Sequence, residues 1–99
     1  MGNISNLATT GIYTFEKGPL KVTFNFVIDN ETKVITRIEG GLVIENERNV
    51  ADFYSVNYLP MGESERITMT LTKGREVELA TAITEAVVQF EGKVIAGVL

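Results

Sequence analysis

The 99-residue chain contains no cysteine, no histidine and no tryptophan. Each absence removes a class of chemistry. Without thiols there is no disulfide and no sulfur nucleophile. Without imidazole there is no unperturbed side chain that titrates near neutrality, and zinc loses both of its preferred ligand types. No metal or cofactor is implied. Basic clusters are missing too: the nine Lys and Arg residues stand singly. A nucleic-acid binder needs several cations tracking phosphates, so nucleic acid is not an expected partner. No apolar run approaches the roughly 20 residues of a membrane-spanning helix. Met1–Thr10 has neither a charged nor an apolar leader region, so no signal peptide and a cytoplasmic location are expected.

What remains is an ordinary globular composition. Apolar residues make up 44% and charged residues 22%, with a formal net charge of −4. This length suits one domain with a single core. Residues 1–10 (MGNISNLATT) are small and polar without periodicity, and read as a lead-in to a domain spanning 11–99.

From Gly11 the pattern has period two, the signature of strands. Gly11–Lys17 is short and aromatic-rich and ends at Gly18-Pro19. In Leu20–Ile28, Leu20, Val22, Phe24, Phe26 and Ile28 share one face, while Lys21, Thr23 and Asn25 share the other. This is a strand with one wet side. Asp29–Lys33 is a polar turn. Val34–Glu45 continues with Val34, Thr36, Ile38, Leu42 and Ile44 on one side, so Gly40-Gly41 is expected to bend a single strand without shifting its register. The competing reading is a hairpin at the two glycines. Val50–Leu59 alternates least cleanly, with Val50, Tyr54, Val56 and Tyr58 on one face and Ala51, Phe53 and Leu59 on the other. Arg66–Thr72 sets Ile67, Met69 and Leu71 against three outward threonines.

The period then changes. At 100° per residue, Leu79, Ala80, Ile83, Ala86, Val87 and Phe90 form one stripe, with Glu78, Thr81, Glu85 and Gln89 opposed. This predicts a helix over Glu76–Phe90, ended by Gly92, with Val94–Leu99 as a short last strand. The expected fold is therefore α+β: a curled antiparallel meander of about five strands packed on one C-terminal amphipathic helix. The competing architecture is an all-β barrel or sandwich, in which the β-branched residues of 77–90 form strands.

Acid/base chemistry here would have to come from carboxylates. Glu39 and Glu45 share the polar side of one predicted strand, with Asp52 on the next, but Arg37 beside Glu39 makes solvated charge pairing the simpler account. Asp29-Asn30-Glu31 begins like a calcium loop, yet Val34 occupies the position that requires glycine, so a turn is expected. Lys73-Gly74-Arg75 lacks the glycines of a phosphate loop. No catalytic residue is assigned. The sequence reads as a non-enzymatic protein–protein interaction module that self-associates, as a homo-oligomer or with a protein partner. Phe53, Tyr54 and Tyr58 are the candidate interaction residues, because aromatics on both faces of one strand leave one set outside the core. The alternative is a small apolar-ligand domain with a pocket between sheet and helix, lined by Phe24, Phe26, Ile38 and Met69 together with Tyr54.

Overall fold

The computed structural model describes residues 8–55 and 67–97. Five strands lie in sequence order in one antiparallel sheet: β1 (Ala8–Lys17), β2 (Leu20–Asp29), β3 (Val34–Glu45), β4 (Arg48–Ser55) and β5 (Thr68–Leu71). One helix, α1 (Glu76–Ala96), follows. The sheet is open, with β1 and β5 at its edges, and α1 packs on one face. The fold is the α+β meander-and-helix expected from the periodicities, and the helix rules out the all-β alternative.

β2 shows why the alternation is reliable. Leu20, Val22, Phe24, Phe26 and Ile28 are all buried, facing α1. Pairing carries this face across the sheet, so Phe15, Val22, Val43, Ala51 and Leu71 lie in one cross-strand row. From the helix, Leu79, Ala82, Ile83, Ala86, Val87 and Phe90 close over them. Phe90 is central: its ring centroid lies 5.2 Å from Tyr13, 5.2 Å from Phe24 and 4.8 Å from Phe26.

Several boundaries and one register differ from expectation. β1 begins at Ala8, so the last three residues of the proposed lead-in belong to the sheet; residues 1–7 lie outside the described part. β3 does run unbroken through Gly40-Gly41, but its register shifts twice. Ile35, Ile38, Gly41 and Val43 are the buried residues, and Thr36 is exposed. Leu42 and Ile44 turn to the outer face, opposite Thr23 and Lys21. The first shift falls at Thr36, where β2 advances from Val27 to Ile28 while β3 moves from Arg37 to Ile35. The second falls at Gly40, whose φ of +62° places an extra residue in the strand. Such a bulge flips the parity of everything beyond it.

The helix also runs past its predicted end. Gly92 faces solvent with no neighbour in reach, which makes it a weak helix residue but not a terminator. Val94 continues the core stripe, and the true cap is Gly97, in the left-handed conformation, whose N–H reaches the carbonyls of Lys93 and Val94. Val94–Ala96 is therefore helix rather than a last strand.

Candidate interaction surfaces

The candidate carboxylates do not converge. Glu39 and Glu45 lie six residues apart on β3, roughly 20 Å at the usual strand rise. That is well beyond the roughly 5–9.5 Å of a catalytic carboxyl pair. Each has its own local partner. Glu39 meets Arg37 at 3.4 Å, and Asp52 accepts a hydrogen bond from Asn49 at 2.7 Å. Glu45 is gripped by both terminal nitrogens of Arg75, at 2.8 and 3.0 Å. Hydrogen bonding from Arg75 holds the Glu45 carboxyl below the usual glutamate range and raises the Arg75 guanidinium. Arg75 Nε also reaches Glu78 at 2.9 Å. The Lys73-Gly74-Arg75 segment is thus a strap tying the end of β3 to the start of α1.

The Asp29 turn closes on itself. The Asp29 carboxylate accepts the N–H groups of Glu31 at 2.8 Å and Thr32 at 3.2 Å, an Asx turn. Among the described residues no cluster of three or more metal-ligating side chains occurs, and no helix is long and apolar enough to cross a membrane. Ser55 is buried opposite Ile38, and its hydroxyl has no hydrogen-bond partner among the described residues.

The predicted aromatic surface divides. Phe53 is buried in the chain's own core, edge-on to Phe24 with centroids 5.8 Å apart, so it is withdrawn from any partner surface. Tyr54, one residue on, points the other way and is 47% exposed. Tyr58 lies outside the described residues. Moreover β4 is paired on both sides, by β3 and β5, so its backbone offers no free edge. The alternative pocket residues Phe24, Phe26 and Ile38 are buried, with Phe24 and Phe26 both in ring contact with Phe90, and Met69 packs half-buried against the same cluster.

Two other surfaces stand out. The first is the outer edge of β1, with which no strand pairs among the described residues. Ala8–Phe15 carries no charge and no proline, and Ile12 on its outer face is 69% exposed. Natural edges of this length are usually guarded by charge, proline or a bulge. The opposite edge, β5, is only four residues long.

The second is the solvent face of α1. Val77, Val88 and Ile95 are 83%, 55% and 64% exposed. At 100° per residue the three fall within about 20° of one line along the helix. The exposed Thr81 and Thr84 lie on the same stripe. This stripe runs opposite the buried one; from Val77 to Val88 it bears no charge, and Glu91, 9% exposed, lies on its border between Val88 and Ile95. Glu78 and Glu85 flank the stripe on one side, and each has a basic partner, Glu78 the Arg75 it shares with Glu45 and Glu85 the Lys17 ammonium at 2.9 Å. The chain matches no protein-family model, no curated protein and no solved structure.

Proposed function

We propose that this chain is a non-enzymatic protein–protein interaction module that self-associates. The observation that carries the reading is the solvent face of α1. A helix packed on a sheet by one side normally shows polar and charged residues on the other. Here the far side presents three large aliphatic residues and two threonines in line. Exposed apolar residues arranged as one patch, unlike scattered ones, mark interaction surfaces. The separate engagement of Glu39, Glu45 and Asp52 supports a binding role over a catalytic one.

The open β1 edge supports a second route to the same outcome, since an unpaired strand is a template for another strand. Sedimentation at rising protein concentration, on wild type, Val88→Lys and Ile12→Lys, separates the two. The expected result is a mass that climbs above the monomer for wild type and for Ile12→Lys but not for Val88→Lys. Dissociation by Ile12→Lys alone moves the interface to β1. A wild-type monomer at every concentration removes self-association altogether.

A further inference from the structure

We infer that the partner at the α1 face is a second copy of this chain, its own α1 lying antiparallel across the first with the crossing point between Thr81 and Thr84. This inference rests on the self-association reading above and specifies its geometry.

The argument begins with the symmetry of the stripe. A two-fold interface is self-complementary: if residue i of one copy meets residue j of the other, j also meets i. For two antiparallel helices, this pairs residues placed equally about a midpoint. About the midpoint between Ala82 and Ile83, Thr81 mirrors Thr84 and Val77 mirrors Val88. Each pair matches in kind, threonine with threonine and valine with valine. The 4-3-4 spacing of 77, 81, 84 and 88 is that of alternating coiled-coil seam positions, and all four side chains are β-branched.

Shape supports the same arrangement. Ala80, Thr81, Thr84 and Glu85 line a shallow depression of about 240 Å³ at the middle of the stripe. Crossing helices approach most closely at one point, and the separation there is set by the side chains in contact. Small residues at the midpoint let the two axes come close. The valines flank the crossing on either side, where Val77 of one copy lies against Val88 of the other.

Charge permits the contact. The four mirrored positions, Val77, Thr81, Thr84 and Val88, carry no ionised group, so two chains of net charge −4 meet along an uncharged line, with Glu91 beyond its end and Glu85 at its flank. The antiparallel arrangement brings Glu78 of one copy toward Glu85 of the other, but Arg75 and Lys17 already accompany these carboxylates. Size sets the strength. A helix face about 10 Å wide and 30 Å long offers roughly 300 Å² per copy, so the total falls below the roughly 1,200 Å² of a standard stable interface. The dimer is therefore weak and concentration-dependent.

The absence of cysteine makes the test clean. Val77→Cys and Val88→Cys each introduce the only thiol in the chain, at exposed positions whose replacement leaves the core intact. Each variant alone, and an equal mixture of the two, would be oxidised mildly at high concentration and analysed by mass under non-reducing conditions. The antiparallel arrangement expects the 77–88 heterodimer to exceed its random-coupling share in the mixture, with little disulfide in either variant alone. Efficient homodimers of each single variant overturn the antiparallel geometry while leaving self-association standing, as does a dimer by mass with no disulfide at either position. Monomers throughout, without disulfide, overturn both.

Discussion

Arg75 ties three segments together through one guanidinium. It makes two hydrogen bonds to Glu45 at the end of β3 and one to Glu78 in the first turn of α1. In the sequence it reads only as the last residue of a basic turn, because nothing local connects it to a glutamate 30 positions earlier. Its consequence is a pH dependence of known sign. Glu45 is held below its ordinary value chiefly by the Arg75 hydrogen bonds, and Glu76 is lowered by backbone N–H groups, its own and that of Gly74. A carboxylate whose folded pKa lies below its unfolded one adds stability that is fully present above the unfolded value of about 4.3. That stability is lost as pH falls through the lowered folded value. Thermal unfolding of the wild type should therefore lose midpoint temperature between about pH 5 and pH 3. Glu45→Gln should start lower at pH 7 and fall less over the same window. Parallel curves for the two proteins would mean that the strap contributes nothing. Because the pair is partly exposed, added salt should narrow the gap between them.

At the level of the element, two glycines that look alike in the sequence have opposite roles. A Cβ on Gly41 would sit 2.6 Å from the Phe53 ring, which is buried and cannot swing away. A Cβ on Gly92 would meet nothing within 4 Å. Gly41→Ala should cost about 1–3 kcal/mol through overpacking. Gly92→Ala should stabilise by about 0.5–1 kcal/mol, because it removes a flexible residue from a helix interior. Urea titration of both variants measures the two signs directly. A destabilised Gly92→Ala, or an unaffected Gly41→Ala, would contradict the packing described.

The same contrast explains what the sequence showed. The β2 alternation and the α1 core stripe were legible because regular elements repeat their period. The β3 parity was not, because a bulge at Thr36 or Gly40 leaves no mark except a glycine, and Thr36 is not one. The solvent stripe of α1 was present in the sequence as spacings of 11 and 7 between Val77, Val88 and Ile95. It was obscured by Glu78, Glu85 and Gln89, which seemed to make the far side polar and in fact lie along its border. The β-branched residues that argue for strands over 77–90 include Val77, Thr81, Thr84 and Val88 of this stripe.

For the whole molecule, the central question is what makes five strands and one helix a single cooperative unit. Among the described residues no strand pairs with the outer sides of β1 and β5 and no element packs on the sheet's outer face, so the apolar burial described here depends on α1. Within that interface Phe90 is fully buried and touches rings from two strands, Tyr13 of β1 and both Phe24 and Phe26 of β2. A second link joins the same places, since the Tyr13 hydroxyl donates to the Gln89 side-chain oxygen next to Phe90. Truncating such a ring removes its transfer free energy and leaves a cavity, together about 3–5 kcal/mol. A domain of this size is stable by only about 5–15 kcal/mol, so Phe90→Ala should remove a large part of the total. If helix and sheet unfold together, the urea midpoint should drop sharply while far-UV dichroism and tyrosine fluorescence still change in one coincident transition. If instead α1 is an independent cover, the helical signal should melt first and the tyrosine signal should keep a later component from Tyr54, which lies on the sheet face away from α1. A loss below about 1 kcal/mol with coincident transitions would move the anchoring role to the Leu79–Val87 half of the helix.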